Sequence, residues 1–404
     1  MQSFWGPSDP RIGGERGSPL CGGREGVDVL IAGAGPAGSV AATILARAGI
    51  RVMVVDRARF PREKLCGDTL NPGAMAILKR LDLAERVERR GLCLDGMILT
   101  AEHGVSVQGC YPLVPERRVG RAIRRGELDD VLLTRAIESG ARFDEGVIVQ
   151  EPLIQEGPGG PKVCGLLVSG PVGRSRRVPA TVTIAADGRR SPIAFSLGLL
   201  RHPLSPRRWA VGGYFQSVDG MSSFGEMHVR CGHYIGVAPL PDGLANVCFV
   251  SDERQQFSDP KLMLKSTLEG DACLRERFAN ARLVSRLTVM GPLAVDSHTA
   301  GMPGLLLAGD AAGFIDPITG DGIRMAMRGG ELAAQAALDM LYTNSSNGYK
   351  RLTQLRHQEF DRKLRFNRRV RALVGSAVGV HAGGICTAIA PGILRRMIGI
   401  AADL

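Results

Sequence analysis

Three separated stretches of this 404-residue chain carry residues able to hold a nucleotide. The first is Gly33-Ala-Gly35-Pro36-Ala37-Gly38. Glycines at this spacing divide the work. Gly33 permits a tight turn, Gly35 lets backbone approach a pyrophosphate, and Gly38 lets a helix pack closely on a strand. Asp56 follows downstream with Arg57 beside it. Its carboxylate can accept hydrogen bonds from ribose hydroxyls and disfavours a 2′-phosphate, so NADP does not suit this seat. The second stretch is Asp187-Gly188, followed by Arg189, Arg190 and Ser191-Pro192; alone it is also a common way to end a strand. The third is Gly309-Asp310-Ala-Ala-Gly313, with Pro317 and Gly320-Asp321-Gly322 after it. An aspartate exposed by a neighbouring glycine can bind a polyol hydroxyl. A glycine-rich turn that opens a helix aims N–H groups at an anion. Gly33–Gly38 alone does not separate NAD from FAD. The third stretch adds a polyol ligand and an anion seat, suited to a ribityl chain and to the negative N1–C2=O2 edge of a reduced flavin.

Hydrophobic patterning supplies the elements that would position these residues. Val27–Ala32 is a short, mostly apolar strand that ends at Gly33. A helical run from Ser39 to Ala48 follows, and Arg51–Asp56 is a second buried strand ending in the acid. This is the strand–turn–helix–strand order that the glycine fingerprint requires. Thr181 to Ala186 is a strand running into Asp187-Gly188, Gly304 to Ala308 is another, and a helix runs from Ile323 to about Leu341. From Arg208 to Val250 the pattern alternates between glycine turns, which predicts an antiparallel sheet with one face over the nucleotide. The expected architecture is α/β. A Rossmann-like FAD-binding domain would take residues 27–91, 120–197 and 293–345. An inserted antiparallel-sheet substrate domain would take 92–119 and 198–292, and a helical C-terminal region 346–404. Phe215, Met227, His228, His233 and Tyr234 are candidate pocket residues, with ordinary sheet-face packing as the alternative for each.

Composition narrows the function classes. With 44% apolar and 23% charged residues the chain reads as a soluble enzyme, and 53 glycines suit many tight loops. The net charge of +11 comes mainly from Arg, is densest from Lys350 to Arg371, and forms no polybasic tail. Solubility or attraction to an anionic membrane surface accounts for it better than nucleic acid, since no DNA- or RNA-binding pattern accompanies it. Nine dispersed cysteines without a CxxC pair read as reduced thiols of a cytoplasmic protein with no metal site. Residues 1–26 lack the apolar stretch of a signal peptide and read as a disordered leader. Ala372 to Leu394 holds no Asp, Glu, Lys or Arg, yet its glycines and Pro391 argue against a spanning helix. A basic helix before it fits peripheral membrane contact or a lid over an apolar substrate. A helical subdomain packed on the nucleotide domain fits equally.

The three stretches stand in the order found in the flavoprotein group typified by p-hydroxybenzoate hydroxylase, and the chain resembles that group from Val27 to Leu341. The resemblance implies FAD. It places Asp187-Gly188 near the pyrophosphate, Asp310 on the ribityl chain, and Pro317, Gly320 and Gly322 against the isoalloxazine. Two further segments, Phe60-Pro-Arg-Glu-Lys64-Leu-Cys66-Gly67-Asp68 and Val119-Gly120-Arg121, resemble the geranylgeranyl reductase branch. That resemblance implies that Arg121 contacts FAD and that Cys66 faces the substrate; a buried packing thiol is the other reading of Cys66. The chain departs from the branch twice. Asp68 stands where a second glycine is usual, which puts the loop geometry in question. Tyr234-Ile-Gly236-Val-Ala238-Pro239 stands where the branch has Tyr-x-Trp-x-Phe-Pro, so two aromatics become Gly236 and Ala238 while Tyr234 and Pro239 stay. Their loss predicts a wider pocket for a bulky hydrophobic or polycyclic substrate. The Trp-x-Trp-x-Ile-Pro signature of related halogenases is absent.

Two enzymatic readings share this scaffold. Reduced flavin can give a hydride from N5 to an activated C=C bond while Cys66 or Tyr234 relays the proton. Alternatively, it can capture O₂ and hydroxylate an aromatic, quinone or polyketide substrate. Some relatives of the fold carry prenylated partners without redox chemistry, a role that has no need of a ribityl-binding Asp310. No second nucleotide domain is visible, so the electrons would come from transiently bound NAD(P)H or a partner such as ferredoxin.

Overall fold

The computed structural model describes residues 26–102, 105–111, 120–170, 173–204 and 207–374. In the Val27–Ala32 strand, Val29 and Ile31 join one core layer and Leu30 and Ala32 another, all with no exposure. A strand that is apolar on both faces belongs inside a parallel sheet. The strand order there is Leu305–Leu307, Ser175–Ala185, Val27–Ala32, Val52–Asp56, Arg142–Glu145, with every neighbouring pair parallel. The Val29 face is covered by the helices Pro36–Arg47 and Gly322–Thr343, with Arg125–Glu138 beside them. Small residues bring the first two helices together: a Cβ added at Gly330 would lie 2.3 Å from the Ala37 carbonyl oxygen. The Leu30 face is covered by an antiparallel ribbon, Ile148–Gln155 and Lys162–Ser169, which continues from Ser175–Ala185.

This topology fixes where a ligand can sit. Gly33, Asp56, Asp187 and Gly309 all lie at or just past the C-terminal ends of four parallel strands, so one sheet edge gathers the three stretches singled out above. Open α/β sheets bind their ligands at that edge.

A second sheet stands over it. Its order is Arg282–Leu283, Trp209–Gln216, Leu244–Ser251, His233–Pro239, Phe224–Arg230, Gly96–Thr100, Ser106–Cys110, with Thr288–Met290 also pairing to Trp209–Gln216. All pairs are antiparallel except Phe224–Arg230 with Gly96–Thr100. Leu92–Leu94 pairs with Gly120–Ala122, which also pairs with Thr69–Leu70, and the large sheet takes in the chain only from Gly96. The helix Pro260–Gly270 covers the outer face of the large sheet through Leu264 and Leu268.

The basic C-terminal run forms the helix Gly348–Val374, and Leu352 and Phe360 bury it against the Val29-face core. As far as it is described, it packs as a subdomain. Among the described residues no helix is long and apolar enough to cross a membrane. Residues 1–25 of the expected leader, and 375–404 with most of the charge-free stretch, lie outside the described residues.

Candidate active site

One cavity of about 540 Å³ opens between the parallel-strand ends and the second sheet. Gly33, Gly35, Pro36 and Ala37 line it, as do Asp56, Arg57, Asp187 and Gly188. From the third stretch Gly309, Asp310, Pro317, Gly320 and Gly322 line it as well. Gly33 has φ +100°, and an added Cβ would lie 2.4 Å from the Ala186 carbonyl oxygen, so only glycine makes this turn. Gly38 does not reach the cavity. A Cβ there would lie 1.9 Å from the Gly33 carbonyl oxygen, so Gly38 seats the helix against the turn. Asp56 is held by its own surroundings: its Oδ2 accepts from Ala34 N at 2.8 Å and Arg62 Nη1 at 3.0 Å, and its Oδ1 accepts from Ala58 N at 2.8 Å.

The residues present fit an FAD. Six cationic side chains, Arg57, Arg62, Lys64, Arg125, Arg189 and Arg190, line the cavity and match a diphosphate. Burial lowers the pKa of Lys64, and burial with the neighbouring Arg190 brings Arg189 down to about 10. Both carboxylate oxygens of Asp187 are buried without a partner of hydrogen-bond geometry. Burial raises its pKa to about 7, against the pull of Ser191. A ligand that donates hydrogen bonds would satisfy it. The opening turn of the 22-residue helix Gly322–Thr343 contributes Gly322 and Ile323 to the wall, where first-turn N–H groups lack intrahelical partners. Arg121, expected to contact FAD, is not among the residues that line the cavity; its Nη1 donates to the Gly120 carbonyl at 3.2 Å and its Nε is buried without a hydrogen-bond partner. Arg125, on the following helix, lines the cavity.

The Cys66 loop forms the wall between cofactor seat and sheet. Asp68 has φ +54°, the left-handed conformation a glycine would supply, so the loop keeps its turn without the second glycine. Asp68 is wholly buried; Asn246 Nδ2 donates to it at 2.8 Å and Arg125 N at 3.1 Å. Burial raises its pKa to about 7 despite hydrogen bonds from Tyr214 and Asn246. Asn246 Nδ2 also donates to the Cys66 carbonyl at 2.9 Å, which clamps the loop to the sheet. Cys66 lines the cavity. Burial pushes its thiol up, while the Arg125 guanidinium beside the sulfur opposes the shift.

On the sheet, period-two alternation decides which residues face inward. Tyr234, Gly236 and Ala238 line the cavity, and across from them Cys248 and Asn246 do so in register. Ile235, Val237 and Phe215 lie in the outer core layer, and His233 stacks there on Phe249 at 5.2 Å. His228 is buried between Thr100 Oγ1 at 2.8 Å and Glu226 Oε2 at 2.9 Å. Of the expected pocket residues, Met227, Tyr234, Gly236 and Ala238 therefore line the cavity, while Phe215, His228, His233 and Pro239 do not. Beside Gly236 the wall is open: an added Cβ would find its nearest neighbours at 3.8 Å and 3.9 Å. The Tyr234 hydroxyl is committed. It donates to Asp316 Oδ1 at 2.6 Å, and burial with that carboxylate raises its pKa well above the usual value. Its proton is thus directed into a buried carboxylate, and the ring serves as a strut. Arg62, Lys64, Arg125, Asn246, Cys248 and Glu226 are wall residues that sequence reasoning missed. The basic Pro61–Lys64 run was visible, and Asn246 and Cys248 would have followed from the alternation once its phase was fixed by Gly236.

A glycine-turned parallel sheet, a cation-lined cavity at its C-terminal edge and an antiparallel roof define an FAD-dependent oxidoreductase. Residues 26–345 match the family model of the FAD binding domain, and the chain belongs to that family. A menaquinone reductase of Mycolicibacterium smegmatis is 30% identical over 342 residues, covering 81% of this chain and 80% of that protein. Digeranylgeranylglycerophospholipid reductase 1 of Methanopyrus kandleri is 31% identical over 351 residues, covering 82% and 86%. Among solved structures, a geranylgeranyl bacteriochlorophyll reductase-like protein of Thermoplasma acidophilum superposes with a TM-score of 0.75 at 24% identity, covering 94% of this chain and 92% of the other. The resemblance to the geranylgeranyl reductase branch stands, and the cofactor-free carrier reading has no support.

Proposed function

We propose that this chain adds a hydride and a proton across a carbon–carbon double bond of a long, apolar, prenyl-type substrate. The observation that carries this reading is the continuity of one cavity from the cofactor seat to the open wall at Gly236 and Ala238. That wall is apolar, with Met97, Met227, Val250, Met290 and Leu293 contributing. The two curated relatives, reductases of menaquinone and of a digeranylgeranyl lipid, support the same substrate class.

When bound, FAD supplies the hydride. The Gly33–Gly38 turn and arginines of the cavity wall would seat its diphosphate, Asp56 would hold the adenosine ribose, and Asp310 the ribityl chain. The opening of the helix at Gly322 would meet the pyrimidine edge. Cys66 holds a proton at the cavity wall, because burial keeps its thiol protonated near neutrality. Tyr214 stands behind the loop as a further protonated group, and Asp68, raised by burial to about 7, as a carboxyl that exchanges its proton near neutrality. The apolar walls keep water from the reacting carbons. Electrons arrive from transiently bound NAD(P)H or a ferredoxin-type partner.

The same cofactor seat would also serve a second reading, hydroxylation of an electron-rich ring. Glu226 does not supply it with a base, since it pairs with Val237 on the outer face and its carboxylate accepts from His228 and Arg277. The two readings separate in one experiment. The FAD-loaded protein is photoreduced without O₂, then offered prenyl alkenes anaerobically or phenols with O₂. Reoxidation by an alkene alone, with a saturated product, is expected. Reoxidation only when phenol and O₂ are both present would overturn the reductase reading.

A further inference from the structure

The basic helix Gly348–Val374 has a stripe at helical spacing, Leu352, Arg356, Phe360, Lys363 and Asn367, in which all but the half-buried Arg356 are buried. Two of the five are cations, and both point at the back of the loop that leads to Gly322. Lys363 pairs its ammonium with the Asp321 carboxylate, with side chains only 5% and 1% exposed. The other Asp321 oxygen accepts from Asn71 Nδ2 at 2.7 Å. Arg356 donates to the Ala312 carbonyl at 2.9 Å, and burial brings its pKa down to about 10. Arg356, Asn367, Asp310 and Asp321 share a cavity of about 30 Å³ directly behind the seat.

Asp321 occupies an electrically sensitive place. It directly precedes the helix Gly322–Thr343, whose N-terminus carries about half a positive charge. An unpaired carboxylate there would cancel that pole, and strongly so in a buried setting. An ammonium on the carboxylate leaves the pole intact.

We propose that Lys363 is a positioning residue for the flavin site: by pairing Asp321 it preserves the positive helix terminus and raises the reduction potential of bound FAD. Reduction puts negative charge on the pyrimidine edge, and the preserved pole stabilises that charge. The helix, whose sequence fits either surface docking or a packed subdomain, forms the back wall of this seat through Arg356, Lys363 and Asn367. The proposal rests on the FAD seat described above and is independent of the substrate.

The test is the midpoint potential of bound FAD in the full-length holoprotein, measured by anaerobic dye equilibration at pH 8. Lys363→Met is expected to shift the potential negative, and Lys363→Met/Asp321→Asn to return it towards the wild-type value. A merely structural ion pair would lower Tm in the single variant and leave the potential in place, which overturns the proposal; so does a double variant displaced as far as the single. Should Lys363→Met fail to fold, Asp321→Asn compared with the wild type at the same pH 8 is the second arm. A positive shift supports the proposal and an unchanged potential overturns it. Asp310→Ala controls for the seat. If it retains FAD with unchanged affinity, the seat assignment fails separately from the charge proposal.

Discussion

Asp68 combines two demands at one position. Its φ of +54° is a conformation that only a few residue types adopt at low cost, and its carboxyl is wholly buried. The consequence for stability has a definite sign. In the unfolded chain the carboxyl titrates near 3.8; in the folded protein burial raises it to about 7. The folded state therefore holds the proton more tightly. The stability tied to this group is complete below pH 4 and is lost as pH rises through 7. Asp187, also raised to about 7 by burial, acts in the same direction, while Asp28, Glu226 and Asp271 are lowered and act oppositely. A comparison with Asp68→Asn isolates the single group, since asparagine tolerates the left-handed φ and never ionises. Losing one acceptor to Asn246 is expected to cost about 1–3 kcal/mol at low pH. The Tm deficit of the variant should then shrink steadily from pH 4 to pH 8 in the apoprotein. A deficit that stays constant over that range would show that Asp68 does not titrate in the fold.

At the scale of elements, the sheet face over the cavity governs what fits. Gly236 and Gly212 are both strand glycines, and they answer to different constraints. A Cβ at Gly212 would lie 2.4 Å from Leu65 and 2.7 Å from the Val247 carbonyl, so packing demands glycine there. A Cβ at Gly236 would meet nothing closer than 3.8 Å, so packing leaves that place free. Gly236→Trp is expected to fold, keep its FAD and lose turnover of a bulky, ring-bearing substrate more than of a slim prenyl chain, since the branch it resembles carries tryptophan at this place. Overpacking of about 1–3 kcal/mol corresponds to about fivefold to a hundredfold in kcat/KM for the bulky substrate. Undiminished turnover of the bulky substrate in this variant would put its bulky part elsewhere. The same comparison shows how much the sequence made legible. The three cofactor stretches could be read because each glycine answers a local steric need. The helix after Gly35 starts at Pro36, earlier than its apolar run suggests, because proline suits a first helical position. The phase of the second sheet was not legible. Whether His228 or Gly236 faces the cavity depends on pairing between strands far apart in sequence. The same limit hid the pairing of Leu92–Leu94 with Gly120–Ala122 and the place of Arg125 at the wall.

Across the whole molecule, the second sheet has to stay in register with the loop that carries the flavin end of the seat. Tyr234 on the sheet donates to Asp316 on the loop at 2.6 Å. Arg208, just before the strand Trp209–Gln216, reaches the same carboxylate at 3.3 Å. Ile318 N caps it from the loop at 3.0 Å. Apolar contacts among Tyr234, Val250, Leu293 and Ile318 surround this junction. The hydroxyl of Tyr234 therefore joins two layers, and this role competes with the proton-relay role that its position beside the cavity suggests. Tyr234→Phe distinguishes them. It keeps the ring and removes one hydrogen bond to a charged acceptor, worth about 1.5–3 kcal/mol. As a strut, its loss lowers Tm, leaves the FAD absorbance in place and reduces kcat less than tenfold. As a proton donor, its loss would cut kcat by about 10²–10⁴-fold with Tm unchanged. The geometry predicts the first outcome, because a phenol whose proton is directed into a buried carboxylate cannot deliver it to a substrate carbon without breaking the contact that holds the two layers together.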